Sequence, residues 1–338
     1  MNLKQHLSMI RDRHDIYRKR EIIKRDGGRI SFANWTLVGP QTDYLLRFLS
    51  ENFPESGRPI RFYSVYGPVE ELNRPFSGIK VFFTLENMEP KTEHASCIGR
   101  PEKAAVWAER AAKYVEKVDW GSFDLCFGYS FIGAPKGFVQ FPLWLCYYGE
   151  KDFRHMEEIR RSSAENASGR RPEAALLASH DFLGMRACIC DRLEKGQVLP
   201  IRYAGKWRHN TDELQESYGN DKGAFLRNFL FNICPENMDA PGYVTEKLFD
   251  AYAAGCIPIY AGSGNRPEEG IVNPDSMILW DLDGDNTENI GRIRTLLRDP
   301  ASLAAFLREP IFTEQAMDEI CTRYLDPLHT AFEKVLEH

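Results

Sequence analysis

Short apolar runs alternate with amphipathic stretches along most of this chain. In the first half, Ile30 to Val38, Arg61 to Tyr66, Lys80 to Leu85 and Phe123 to Gly128 read as strands, with a helical stretch at Lys103 to Lys117. The second half repeats the alternation, with strands expected at Ala175 to Ala178, Leu230 to Cys234, Ile257 to Tyr260 and Met277 to Trp280. Strands interleaved with helices predict parallel sheets covered by helices, an α/β class with two Rossmann-like domains. Lys151 to Pro172 is charged, poor in apolar residues and carries Ser, Asn and Gly, so it is the expected linker, with domains at 1–160 and 161–338. Thr313 to Glu337 reads as a helix placed to cross back over the first domain. Met1 to Gly28 carries Leu3, Leu7, Ile10 and Tyr17 at helical spacing among charges, which reads as an amphipathic helix rather than a signal peptide or membrane span.

The most informative stretch runs from Phe231 to Gly262. Phe229 to Cys234 is a buried-strand pattern ended by Pro235, Gly242 and the polar residues between them. Leu248, Phe249, Tyr252 and Ala253 then recur at helical spacing, with Thr245 or a neighbour to open the helix and Gly255 to close it before the strand Cys256 to Tyr260. In open parallel sheets ligands bind beyond the carboxyl ends of strands, and Glu236, Asn237, Tyr243, Glu246 and Lys247 fall at such an end. A helix start presents unpaired N–H groups and a positive dipole end, and Lys247 adds a charge, so the place suits a diphosphate. Glu246 would repel a phosphate and suits sugar hydroxyls instead. A solvated first turn carrying an ordinary Glu and Lys is the competing reading.

The ordered series GYVTEKLFDAYAAGCIPIYAG, VFFTLENMEP at Val81 to Pro90, ISFANW at Ile30 to Trp35, FDLCFGY at Phe123 to Tyr129, FPLW at Phe141 to Trp144 and ALLASHDFLGMR at Ala175 to Arg186 resembles the α-1,3/4-fucosyltransferases, glycosyltransferase family ten. The likeness runs from about Ile30 to Trp280. It implies a GT-B fold, two Rossmann-like domains with parallel sheets facing a central cleft. It also implies inverting transfer of L-fucose from GDP-β-L-fucose to a hydroxyl of a GlcNAc-containing glycan. The acceptor it implies is an N-acetyllactosamine-type oligosaccharide or glycolipid, with a Lewis-type product on lipopolysaccharide. Glu86 matches the family's general base, at the end of an apolar strand; a strand-end Glu bonded to a loop is its plainer alternative. Arg186 and Lys247 would grip the diphosphate, and Asn237, Tyr243 and Glu246 match donor contacts, with Glu236 beside them. Tyr243 is open to stacking on guanine or fucose, to a phosphate contact, or to covering the helix start. Acceptor contacts are expected from Asn34, Trp35 and Asn87. No metal is required on this view, a divalent ion being at most stimulatory. Animal and plant members carry an amino-terminal membrane anchor, so a chain opening on an amphipathic helix points to a bacterial, cytoplasmic enzyme; a trimmed chain would look similar.

The chain departs from the family pattern at Pro235, where an aromatic residue is usual, and in Glu89 to Trp120, which is longer. The heptad tail of some bacterial relatives is missing. Two rivals stand beside the transferase: a GT-B enzyme using another nucleotide-sugar, and a non-catalytic glycan- or nucleotide-binding protein. Oligomeric state is left open.

Composition narrows the classes further. With 338 residues, 43% hydrophobic and 27% charged, the chain can bury two ordinary cores. A net charge of −6 speaks against nucleic acid as partner. Arg18, Lys19, Arg20, Lys24 and Arg25 would suit peripheral contact with anionic lipid, against a merely solvated helix face. The eight cysteines, including Cys97, lie mostly in apolar runs without zinc spacing and read as reduced core residues, with Cys188 and Cys190 on a helix; an oxidising compartment would permit disulfides. Asp281, Asp283 and Asp285 resemble a metal-holding DxD but follow a strand into a polar turn. Ser179, His180 and Asp181 are consecutive and make no triad, and no GxGxxG follows a strand. Lys206 after Gly205 is a further phosphate-contact candidate.

Overall fold

The apolar runs pair into two separate sheets. In the computed structural model the residues described are 23–25, 28–35, 39–88, 109, 111–112, 114–165 and 169–337. They divide into two units, one holding the described residues up to Met88, those from 111 to Phe141 and Arg323 onward, the other Glu109 and Pro142–Thr322.

The first unit has strands β1 (Ile23–Arg25), β2 (Ile30–Ala33), β3 (Ile60–Tyr63), β4 (Ile79–Thr84), β5 (Leu125–Gly128) and β6 (Val139–Gln140), in that spatial order. β1 is antiparallel to β2 and every other pair is parallel. The register aligns Phe32, Phe62 and Val81 across one face and Ala33, Tyr63, Phe82 and Cys126 across the other. On the first face Phe332, from the helix Asp326–Glu337, packs its ring 6.2 Å from Phe62, 6.0 Å from Phe127 and 5.3 Å from Phe48 of the helix Pro40–Asn52. On the second, Leu72, Val118 and Phe131 close over Tyr63 and Phe82, with Trp120 and Phe123 at the margin.

The second unit has β7 (Arg171–Leu176), β8 (Ile201–Tyr203), β9 (Phe229–Ile233), β10 (Ile257–Tyr260) and β11 (Ile278–Leu279), all parallel, in the order β11-β10-β9-β7-β8. Every residue of β9 and β10 is buried, which is why both read as apolar runs, broken in β9 only by Asn232, whose amide donates to the Ala175 carbonyl.

The segment expected as a linker is instead the helix Glu150–Glu165. Its buried stripe is Phe153, Met156, Arg160 and Ser163, and only the first two are apolar. The guanidinium of buried Arg160 donates to the carbonyls of Glu309 (2.9 Å) and Phe306 (3.0 Å) and lies 5.1 Å from the Phe306 ring. These carbonyls end the helix Pro300–Arg308, so an arginine does the work of an apolar residue and of a helix cap together. The division between units therefore falls at Phe141 and not near 160. Two further expectations change. Ile23–Arg25 is a strand where a helix to Gly28 was expected, and residues 1–22, with Arg18, Lys19 and Arg20, lie outside the described residues. The stretch Thr313 to Glu337 is not one helix: Ala316–Ile320 and Asp326–Glu337 flank a π-helical turn, Cys321–Leu325, where the chain passes from the second unit to the first. Of 103–117 only 109, 111–112 and 114–117 are described, and they are helical.

Among the described residues no helix is long and apolar enough to cross a membrane. Their cysteines are free thiols, and burial pushes those of Cys126, Cys190 and Cys256 up to about 12, which leaves them inert; Cys97 lies outside the described residues.

The helix Glu246–Ala253 is fixed from behind: Trp144 stacks on Phe249 at 4.2 Å, and Tyr148 Oη donates to the Asp250 carboxylate. Burial raises the Asp250 pKa from 3.8 to about 6, against the Tyr148 hydrogen bond, which lowers it; Glu246 raises it, and Lys222 and Lys247 lower it. The folded state then holds this proton more tightly than the unfolded chain, so stability falls as pH rises from about 4 to about 6. The loss is on the order of 3 kcal/mol. Asp250→Asn keeps an acceptor for Tyr148 and removes the titration. The difference in unfolding free energy between wild type and Asp250→Asn, measured by urea titration across that window, is expected to decline with pH. A difference that stays level would show that Asp250 is not held protonated.

Candidate functional site

In the second sheet the connection leaving β7 runs to β8 on one side, while that leaving β9 runs to β10 on the other. The carboxyl ends of β7 and β9 are thus a topological switch point, where diverging connections leave a crevice. The first connection enters the helix Met185–Lys195 and the second the helix Glu246–Ala253. Arg186, Glu236, Asn237, Tyr243, Glu246 and Lys247 all sit on these two connections or the first turns they lead into.

One side-chain bond ties the two connections together. Arg186 Nη2 donates to Asn237 Oδ1 at 2.8 Å while Nη1 donates to the His180 carbonyl at 3.0 Å. Arg186 is 6% exposed; burial lowers its pKa while Asp181 and Glu236 work against that, and a guanidinium stays charged throughout. Asp181 accepts from the N–H groups of Arg186 (3.2 Å) and Ala187 (2.8 Å), so a side chain already covers the start of that helix. Gly184, at φ +78°, makes the turn into it.

On the other side the organising group is Glu236, which is 0% exposed. Its carboxylate accepts from Thr245 N–H (2.7 Å), Thr245 Oγ1 (2.7 Å), Tyr260 Oη (3.2 Å) and Lys247 Nζ (3.2 Å). Lys247 Nζ also donates to Thr245 Oγ1 at 2.8 Å and lies 3.9 Å from Glu246. A buried carboxylate is tolerable only when paired and hydrogen-bonded in this way. Glu236, expected from sequence beside the donor, is thus buried and engaged by four donor groups of the protein. Its role is to hold Lys247 and the loop. A Cβ on Gly262 would meet Glu236 Cγ at 2.9 Å, so the glycine leaves room for the carboxylate. Thr245 is the N-cap of its helix yet turns its hydroxyl to Glu236, and no side chain caps the Glu246–Ala253 helix. The start of that helix thus lacks the usual N-cap side-chain acceptor, an arrangement suited to an anion. Glu246 and Lys247 keep 27% and 23% of their side chains in solvent. Tyr243 is 2% exposed, which fits a residue covering the helix start and not a stacking surface. Lys206 is an exposed loop residue beyond β8, on the far side of β7 from β9.

In the first unit Asn34, Glu86 and Asn87, with Tyr66 beside them, lie at the carboxyl ends of the strands. Asn34 follows β2, Tyr66 lies beyond β3, and Glu86 and Asn87 follow β4. Glu86 is half-buried and accepts from Tyr66 Oη at 2.9 Å. Asn34, at φ +50°, donates from Nδ2 to the Pro68 carbonyl (2.8 Å) and accepts at its own carbonyl from Tyr66 N–H (3.1 Å), so it shapes the loop that carries Tyr66. A Cβ on Gly67 would lie 1.9 Å from Asn34 Oδ1, which leaves only glycine there. Trp35 donates from its indole to Thr42 Oγ1 (2.9 Å) and packs against Phe32, Phe62 and Phe83, while Asn87 is buried. The acceptor contacts expected of Asn34, Trp35 and Asn87 thus meet groups already committed to the fold. Of the longer segment Glu89 to Trp120, residues 89–108 lie outside the described residues.

Asp281, Asp283 and Asp285 are exposed in a turn organised by Asn286, whose Nδ2 donates to the Asp281 carbonyl and whose Oδ1 accepts from Asp281 N–H. No acidic, histidine or cysteine cluster able to hold a metal occurs among the described residues. Four contributors escaped sequence reasoning: Asp181, Tyr66, Tyr260, and Thr245 as a ligand of Glu236. Asp181 had a signal, an acidic residue just before a helix start. The other three act across the fold and had none.

The Glu236–Lys247 pair is testable by a double-mutant cycle. Glu236→Gln alone is expected to cost about 3–5 kcal/mol of stability, as removal of one partner of a buried ion pair does. Combined with Lys247→Met, the loss should fall short of the sum of the two single losses by more than about 1 kcal/mol. Additive losses in denaturant unfolding would mean that the two charges do not depend on each other.

Comparison with known proteins adds the family. Residues 171–308, which contain all six switch-point residues, match the model of glycosyltransferase family 10 (fucosyltransferase), C-terminal part. An alpha-(1,3)-fucosyltransferase of Helicobacter pylori is 35% identical over 105 residues, 31% of this chain and 20% of that protein, so the match spans about a fifth of that relative's length. A crystal structure of an α1,3-fucosyltransferase is similar with a TM-score of 0.58 at 18% identity, covering 96% of this chain and 94% of that one. Another, with GDP-fucose, gives 0.52 at 21% identity over 82% and 78%. Likeness at such identity speaks for the fold, the α/β GT-B class. Over residues 171–308 the second unit of this chain is thus similar to the C-terminal domain of glycosyltransferase family 10.

Proposed function

We propose that the protein transfers L-fucose from GDP-fucose to a hydroxyl of a glycan, forming an α1,3 linkage with inversion at the anomeric carbon. The observation that carries this is the bonded pair Arg186–Asn237 across the switch point, facing a helix start whose N-cap hydroxyl is turned away to Glu236, inside the family 10 domain. Such a place binds a diphosphate by full charges and oriented N–H groups, and it meets the charge that grows on GDP as the bond to fucose breaks.

In the step proposed, the acceptor hydroxyl oxygen attacks the anomeric carbon from the face opposite GDP. The carbon–oxygen bond to the diphosphate breaks with its electron pair going to GDP, and the hydroxyl proton goes to a carboxylate. Glu86 is that carboxylate. Support comes from its place at the carboxyl end of β4, its partial exposure and the Tyr66 hydroxyl at 2.9 Å that orients it. Glu246, partly exposed beside Lys247, suits hydroxyls of the donor sugar. The acceptor we propose is the GlcNAc of an N-acetyllactosamine-type glycan, and chelation with EDTA is expected to leave transfer in place.

The test is incubation with GDP-fucose and a glycan array, read by mass spectrometry for the gain of one deoxyhexose. Glu86→Gln should still bind GDP-fucose yet lose about a hundredfold or more in turnover. A variant that keeps more than about a tenth of the wild-type rate would remove Glu86 from the base role. Thermal shifts with GDP-fucose, GDP-mannose and UDP-sugars separate this reading from transfer of another sugar; stabilisation by UDP-sugars alone would contradict it.

A further inference from the structure

Phe182 is 48% exposed, and among the large apolar side chains of the described residues only Ile132 is more so. A single exposed phenylalanine needs no explanation by itself. This one stands in the connection between β7 and the helix Met185–Lys195, at the switch point, four residues before Arg186. Its ring stacks on the His180 imidazole with centroids 4.0 Å apart and planes 18° from parallel. The backbone under the ring pair is fixed on both sides. The His180 carbonyl accepts from Arg186 Nη1, and the Asp181 carboxylate accepts from the N–H groups of residues 186 and 187. A preorganised, half-exposed aromatic surface is therefore built into the loop that positions the arginine of the diphosphate site.

We infer that Phe182, backed by His180, is the platform on which the nucleobase of the donor stacks. The inference rests on the diphosphate site proposed above and adds to it where the base lies. A nucleoside diphosphate sugar has a flat base at one end and a hexose at the other. Glu246, on the other connection, offers a partly exposed carboxylate to hydroxyls of the donor, those of its ribose or of its hexose. A flat base needs a π-face, and on the β7 side the surface offered is aromatic. Every base has a π-face, so stacking is tolerant of base identity. It gains with overlap area, so the two-ring purine of GDP profits more than the single ring of UDP. Tyr243, the aromatic residue otherwise available at this site, is buried.

Calorimetric titrations of the full chain with GDP, UDP and inorganic pyrophosphate test this on wild type, Phe182→Ala and Phe182→Trp. Because the ring is half in solvent, Phe182→Ala should melt close to wild type. Base–aromatic stacking is worth about 1–3 kcal/mol, so Phe182→Ala should weaken GDP about tenfold or more, weaken UDP less, and leave pyrophosphate unchanged. Phe182→Trp should restore GDP affinity. Unchanged GDP affinity in Phe182→Ala, or equal losses for GDP and pyrophosphate, would overturn the platform while leaving the diphosphate site standing. So would a rise in acceptor KM with GDP affinity intact, since the ring would then serve the acceptor. Failure of the wild type to bind either GDP or pyrophosphate would overturn the diphosphate site and the platform with it.

Discussion

The buried carboxylate of Glu236 is the constraint around which the second unit is arranged. It sits just past β9, and the groups that satisfy it come from the helix start (Thr245), the first helical turn (Lys247) and the end of β10 (Tyr260). A carboxylate so far from water is tolerated only if donors surround it, and each donor it recruits is thereby fixed. Lys247 is held at the mouth of the helix, and Thr245 is drawn away from capping it. The carboxylate thus arranges the place proposed for the diphosphate through Thr245 and Lys247.

The same economy recurs on the β7 side. Asp181 covers its helix start and stands 3.8 Å from the Arg186 guanidinium, so both cations of the site have a carboxylate partner. The site is accordingly not a patch of bare positive charge. It is a set of cations held in place by acids, beside one helix start that no side chain caps. An overall charge of −6 is no obstacle to a diphosphate, because recognition depends on groups within hydrogen-bonding reach and not on the sum over the chain. In the first unit a comparable logic serves Glu86: Asn34 fixes the loop bearing Tyr66, and Tyr66 orients the carboxylate.

Much of this was legible from residue pattern. The strand Ile257 to Tyr260 occurs at the bounds its apolar run predicts, and the helix after Thr245 opens and closes where its cap residues place it. The residues singled out at 186, 237, 246 and 247 fall together because strand ends in a parallel sheet gather loops from distant parts of the sequence. What escaped were roles decided by partners. Glu236 and Glu246 are both acids at one strand end, yet four donors bury the first while the second stays partly in water. Arg160 made a helix resemble a linker, because a charged residue can be buried once it caps the carbonyls of a neighbouring helix. Asn34 and Trp35 looked available for a ligand, and only the hydrogen bonds to Pro68 and Thr42 reveal that they are engaged.

The central claim is that the ends of β7 and β9 grip a nucleoside diphosphate through Arg186. Its most direct test is the calorimetric affinity for GDP of Arg186→Ala, with folding checked by thermal melting because the variant leaves the buried Asp181 without its cation and held by the N–H groups of residues 186 and 187. Hydrogen bonds from a charged group contribute about 1.5–3 kcal/mol, so the account predicts a loss of about ten- to a hundredfold in a protein that remains folded. GDP bound by the folded variant as tightly as by wild type would contradict it.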